Sequence, residues 1–158
     1  KPWRIVRAMP NTPMLVGEGM VAIAPGAHAT RDDLATARKI FAASADVIDV
    51  SEDQIDAVTA VSGSGPAYFF YFVEQMIQAG IEMGLSAEQA HRLSSKTALG
   101  AAKMLLTSAD SPQELRRKVT TPHGTTHAAI THMEGAAMGQ TIRDAMKAAQ
   151  RRSKELGA

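Results

Sequence analysis

The stretch from Ile55 to Met83 is apolar and helix-forming, yet Ser62-Gly63-Ser64-Gly65-Pro66 lies inside it. This pair of facts limits the fold more than anything else in the chain. Ser51-Glu52-Asp53-Gln54 is a capping box, and Ile55, Val58, Thr59 and Ser62 continue a helical stripe from it. Beyond the break, residues 67–83 resume the helical pattern and hold both tyrosines and three of the four phenylalanines. A run apolar on nearly all sides predicts a buried central helix. Glycine in a helix interior costs about 1 kcal/mol and proline about 3 kcal/mol, so the break predicts a distortion. Costs of this kind gather at functional sites. Bare backbone here lets a ligand approach, or a neighbouring helix.

The remaining helices follow from their end signals. Gly84-Leu85 closes the apolar helix, and Ser86-Ala87-Glu88-Gln89 opens another that runs to about Leu106. Within it, Gly100-Ala101-Ala102 offers a face where a second helix can come close. Ser111-Pro112-Gln113-Glu114 starts a short helix to about Val119. Further helices are expected up to about Glu134 and over residues 138–155. Residues 51–158 therefore read as an all-helical domain. Hydrophobic residues make up 45% of the 158 but aromatics only 4%, which suits close helix packing. So small and apolar a domain needs a partner surface, and a dimer is the economical expectation.

Residues 1–50 differ. Residues 3–8 form a short apolar run, expected as a strand, and Met9-Pro10-Asn11-Thr12-Pro13 ends it; the two prolines argue against a helix there. Gly17-Glu18-Gly19 is a second break. Residues 20–24 read as a strand closed by Pro25-Gly26. Thr30-Arg31-Asp32-Asp33 opens a helix carrying Leu34, Ala37, Ile40 and Phe41, and residues 45–50 are a third strand. This order resembles the far edge of an α/β sheet, the end of a larger domain. In open α/β sheets ligands gather at strand ends, so residues 9–12 either line a crevice or form a rigid turn.

Between the last short helix and the next lies Val119-Thr120-Thr121-Pro122-His123-Gly124-Thr125-Thr126. Its hydroxyls and glycine feed a helix N-terminus, where unpaired N–H groups and the dipole favour an anion. The segment reads either as a capped turn or as a pocket for a small carboxylate or phosphate. His123, His127 and His132 lie nearby, but their spacing and the single neighbouring carboxylate, Glu134, fall short of a zinc-ligand set. No metal site is expected. His28 and His91 read as surface residues. Lys147, Arg151, Arg152 and Lys154 read as a solvated cluster offsetting a helix dipole.

Lys plus Arg is 17 and Asp plus Glu 16, a balance that gives no case for nucleic-acid binding. There is no cysteine, which excludes thiolate chemistry and disulfides. No apolar run reaches the ~20 residues of a membrane span, and a soluble cytoplasmic protein is expected. No Ser-His-Asp set, acid–base carboxylate pair, Walker loop or Gly-x-Gly-x-x-Gly can be assembled.

Taken in order, Arg7-x-Met9-Pro10-Asn11-Thr12-Pro13, Gly17-Glu18-Gly19-Met20, Ser62-Gly63-Ser64-Gly65-Pro66-Ala67-Tyr68 and the threonine turn resemble pyrroline-5-carboxylate reductase. The likeness spans essentially the whole chain. Pro112, Leu115, Val119, Thr120, Thr121, Gly124, Thr126, Ala129, Ile130, Met133 and Glu134 fall where that family's C-terminal motif places them. The resemblance implies a mainly α chain: the last strands and helix of a Rossmann-type domain (1–50), then a helical dimerisation and substrate domain (51–158). It implies hydride transfer from NADPH or NADH to 1-pyrroline-5-carboxylate, giving L-proline. It also implies a homodimer that often builds into a decamer. By the same resemblance, Thr121, Gly124, Thr125 and Thr126 hold the substrate carboxylate, and Thr126 also hydrogen-bonds the ring nitrogen. Ser64 and Gly65 border the substrate crevice, and Met9, Pro10, Asn11 and Thr12 lie beside the nicotinamide. The main cofactor-binding domain is not within this chain, which is therefore expected to be inactive alone. Two other readings remain open: a non-enzymatic helical dimerisation module and a histidine-based metal protein. One departure stands out. The resemblance implies Pro-Gly-Gly in the threonine turn, and here His123 takes the first glycine's place; if that glycine has a positive φ, His123 is strained, though histidine tolerates this better than most residues.

Overall fold

The computed structural model describes residues 2–157. The strands are β1 (Val6–Met9), β2 (Gly19–Pro25) and β3 (Ala45–Asp49). The α-helices are α1 (Arg31–Phe41), α2 (Ile55–Val58), α3 (Gly65–Glu82), α4 (Ala87–Thr107), α5 (Pro112–Lys118), α6 (Thr125–Gly135) and α7 (Met138–Gly157). The chain is mainly helical with a small sheet, as the sequence predicts. By contacts it divides into two compact units, one reaching to Tyr68 and including the residues from Arg143 onward, the other Phe69–Ile142.

In the first unit β2 is the central strand, antiparallel to β1 and parallel to β3. Val21, Ala22, Ile23 and Ala24 are all buried. Successive strand side chains face opposite sides, so β2 is covered on both faces. It contacts both α1 and α2. Thr30 caps α1: its hydroxyl accepts from the Asp33 N–H at 3.3 Å, and the Asp33 carboxylate accepts from the Thr30 N–H at 2.8 Å. The Thr30 N–H and then its hydroxyl, each donating to the Asp33 carboxylate at 2.8 Å, hold that carboxyl below its usual pKa. Arg38 on α1 donates to the Val47 carbonyl at 2.5 Å and pairs with Asp49 at 2.7 Å, fixing α1 on β3. The Ser153 hydroxyl on α7 donates to Asp56 on α2 at 2.6 Å.

Two expectations for this unit need correction. The first strand is shorter and shifted: it covers Val6–Met9, whereas Trp3 and Ile5 lie outside it, 81% and 60% exposed. The prolines do not exclude helix either. Thr12–Val16 is a 3₁₀ helix with Asn11 as N-cap and proline in its first turn. Proline is tolerated there because the N–H it lacks would have had no helical partner.

The second unit carries a larger surprise. The apolar run of α3 predicts burial, yet Phe69, Phe70 and Tyr71 are 68%, 69% and 65% exposed. Among the described residues of this unit only three small ones are buried, Gly80 on α3 and Ala90 and Ser94 on α4. Within the single chain α3 lacks that cover, in keeping with the expectation that a domain this small and apolar needs a partner surface. A Cβ added at Gly100 would also meet only open space, so the small face of α4 has no close neighbour. The caps follow the sequence signals: Ser86 accepts from the Gln89 N–H at 3.2 Å and Ser111 from the Glu114 N–H at 3.2 Å. On α7, Lys147 and Arg152 pair with Asp144 and Glu155 and remain well exposed.

Candidate functional site

The glycine break is a π-helical turn over Thr59–Gly63, between α2 and α3. The Ser64 N–H reaches back to the Thr59 carbonyl at 2.8 Å, one residue farther than in an α-helix. That leaves the Ala60 carbonyl without its α-helical donor, and the Tyr68 hydroxyl donates to it at 3.1 Å. Pro66 then falls in the first turn of α3, where it breaks no internal bond. Ser64 is half-buried and Gly65 buried. The sequence marked the distortion but not its kind.

This turn meets the residues after β1. The Asn11 side chain accepts from the Met20 N–H at 2.9 Å and donates to the Ser62 hydroxyl at 3.3 Å. A Cβ on residue 63 would crowd the Met9 methyl, which would have to move aside. Met9 and Asn11 are half-buried, whereas Pro10 and Thr12 are exposed. The structure thus brings the Met9–Thr12 segment against the glycine break, through Ser62 and Gly63. Sequence reasoning singled out Ser64 and Gly65 there; no local pattern marks a hydrogen bond between residues 51 positions apart.

The threonine turn belongs to the second unit. The Gly124 N–H donates to the Thr121 carbonyl at 3.0 Å, closing a tight turn with Pro122 and His123 at its centre. His123 has φ +61°, the left-handed conformation. Proline followed by a positive-φ residue is the type II signature. α5 delivers the chain into this turn and is tied down on both sides. Lys118 pairs with Asp110 at 2.5 Å and holds that carboxyl below its usual pKa. Arg117 forks onto Glu114 at 2.8 and 2.6 Å, lowering the Glu114 pKa and raising its own. Arg116 on α5 reaches Glu134 on α6 at 3.1 Å, bridging the turn.

Gly124 is the N-cap of α6 and offers no side-chain cap. The N–H groups of the first turn of α6 therefore face outward unpaired by a capping side chain. Several threonines spend their hydroxyls on the backbone of their own helix or turn. Thr36, Thr59, Thr107, Thr120 and Thr141 each donate their hydroxyl to the carbonyl four residues back. Thr121, Thr125 and Thr126 make no side-chain hydrogen bond to any described residue. Thr125 and Thr126 are the first two residues of α6, Thr126 half-buried, and the Thr121 hydroxyl lies beside Gly124. Free N–H groups and nearby hydroxyls at a dipole's positive end are the kind of groups that suit a carboxylate.

His123 and His127 rings lie 6.2 Å apart, tilted by 55°. Among the described residues no three His, Cys, Asp or Glu are grouped to hold a metal. The left-handed conformation costs a non-glycine residue about 1–2 kcal/mol. His123→Gly is therefore expected to leave the melting temperature unchanged or raise it by a few degrees. A lower melting temperature would show that the His123 ring makes contacts worth more than the strain.

Residues 52–156 match the family described as pyrroline-5-carboxylate reductase dimerisation. The pyrroline-5-carboxylate reductase of Synechocystis sp. is 44% identical over 153 residues, covering 97% of this chain and 57% of that protein. That of Pseudomonas aeruginosa is 45% identical over 157 residues, covering 99% of this chain and 58% of the relative. The chain thus spans a little over half the length of these relatives. Its fold superposes with TM-score 0.92 on Plasmodium falciparum pyrroline carboxylate reductase with NADP bound, at 34% identity over 98% of this chain and 62% of that one. The Coxiella burnetii pyrroline-5-carboxylate reductase gives the same TM-score at 43% identity, covering 97% of this chain and 57% of that one. With two-thirds of its length matched by the family's dimerisation model and its fold shared with these reductases, the chain belongs to the pyrroline-5-carboxylate reductase family.

Proposed function

We propose that this chain is the dimer-forming, carboxylate-binding portion of an NAD(P)H-dependent pyrroline-5-carboxylate reductase of the cytoplasm. The observation that carries this reading is the family match over residues 52–156, which includes the threonine turn. In the proposal, residues 51–158 form the helical domain and residues 1–50 close a dinucleotide-binding domain. The working unit is a homodimer, with a decamer as a higher assembly. Among the described residues no helix is long and apolar enough to cross a membrane.

The substrate carboxylate rests on the α6 N-terminus and on the Thr121, Gly124, Thr125 and Thr126 groups. Ser64 and Gly65 border the crevice. The site needs to orient an imine and support the charge change at its nitrogen, the task assigned to the Thr126 hydroxyl. Met9, Pro10, Asn11 and Thr12 suit the nicotinamide's neighbourhood: an apolar side chain, two exposed turn residues and a turn braced from behind by Asn11. The phosphate-binding glycine fingerprint is not among the 158 residues. When bound, the nicotinamide supplies the hydride, which passes to the imine carbon while the ring nitrogen gains a proton. Orientation provides much of the rate in such a site, in keeping with a threonine set in place of an acid–base pair.

The test is oxidation of NADPH in the presence of pyrroline-5-carboxylate, followed at 158 residues and again with the upstream sequence restored. Turnover in the longer form alone is expected. Turnover in neither form, with dimers in both, would replace this reading with a dimerisation module that has no reductase activity.

A further inference from the structure

We infer that Asn11 is a positioning residue that clamps the Met9–Thr12 segment onto the π-turn through Ser62, with Gly63 as the seat for Met9. This inference rests on the reductase reading above. Both ends of the Asn11 amide are engaged by protein: the oxygen by the Met20 N–H at 2.9 Å, the nitrogen by the Ser62 hydroxyl at 3.3 Å. The first bond fixes the segment on the start of β2, the second on a helix 51 residues away in sequence. The side chain therefore acts inward. What it offers a cofactor is the shape of the segment, not a contact.

The π-turn supplies the other half. Its wide step leaves Ser62 facing Asn11 and brings the bare Cα of Gly63 against the Met9 methyl. A regular α-helix would carry the same residues on a different face, since each position would rotate by the missing residue. The distortion is an irregularity that the polar bridge and the methyl contact both use. A single change on either side should therefore move Met9. Misplacing a reacting partner by an ångström costs on the order of 100-fold in rate.

The experiment uses the chain with its upstream sequence and four variants: Asn11→Ala, Ser62→Ala, the double variant, and Ser62→Thr. Steady-state rates and a methyl-labelled methionine NMR spectrum are measured for each. Ser62→Ala is expected to lower kcat about tenfold, with the KM for NADPH within about twofold of the parent and the Met9 methyl signal displaced. The double variant is expected to be no slower than Asn11→Ala, and Ser62→Thr to restore both rate and signal. The inference is overturned if Ser62→Ala is silent while Asn11→Ala is impaired, which would make Asn11 a direct contact. It is overturned equally if the two effects multiply, or if only the melting temperature falls. An inactive parent would count against the reductase reading, and the Met9 signal in the same four variants would still decide the clamp.

Discussion

Thr126→Val in the complete reductase is expected to lower kcat/KM about 100-fold, equivalent to about 2.7 kcal/mol of lost transition-state stabilisation. The melting temperature is expected to stay within about 2 °C of the parent. The two expectations have one structural source. Thr126 is half-buried near the start of α6, and its hydroxyl donates to no described residue. Valine keeps its shape and its branching at Cβ, so packing and the helix start are preserved. The hydroxyl removed is one the fold does not use. Thr120, six residues earlier, is the built-in control. Its hydroxyl donates to the Arg116 carbonyl at 2.6 Å at the end of α5. Thr120→Val should therefore affect stability through the end of α5 more than it affects turnover. Kinetics and thermal unfolding of the two variants decide the matter. If Thr126→Val retained full activity, the role assigned to its hydroxyl would be lost, whatever the fate of the carboxylate site.

Much of this architecture was legible because its determinants are local. Ser86 and Ser111 cap the helices their spacing announces, and Thr30 with Asp33 does the same for α1. The run Val21–Ala24 became a strand covered on both faces, as a continuous apolar stretch suggests. The positive φ at His123 meets the condition under which its replacement of the family's glycine carries strain. What escaped was the non-local part. Nothing near Asn11 in sequence announces Ser62, and nothing near Met9 announces Gly63; the fold alone brings each pair together. The glycine break was recognised as a distortion, but its π geometry depends on which carbonyl the Ser64 N–H selects. The apolarity of α3 was read correctly, but apolarity specifies that a helix needs cover and not which chain supplies it.

That last point leads to the second large effect. In the proposed homodimer, Phe70→Glu is expected to convert dimer to monomer at micromolar concentration. Phe70 is 69% exposed in the single chain and lies beside Phe69 and Tyr71, also largely exposed. Exposed apolar patches of this kind mark interaction surfaces. The unit that carries it buries only Gly80, Ala90 and Ser94 among its described residues, so its core has to be completed by apolar surface from outside the chain. A second copy is the partner that the family's dimerisation domain implies. Burying one phenylalanine is worth about 1.5–3 kcal/mol. In a twofold interface each substitution counts twice, so about 3–6 kcal/mol is lost, or two to four decades in Kd. Glutamate adds the desolvation of a charge to this loss. Sedimentation velocity reads the outcome, and Phe70→Leu, which keeps the position apolar, should stay dimeric. Thermal unfolding supplies an independent reading. If subunit contact completes the core of this unit, the parent's melting temperature must rise with protein concentration, and that dependence must disappear in Phe70→Glu. A Phe70→Glu protein that remained dimeric with the parent's affinity would place the dimer contact on another surface and leave the exposed aromatic face of α3 unexplained.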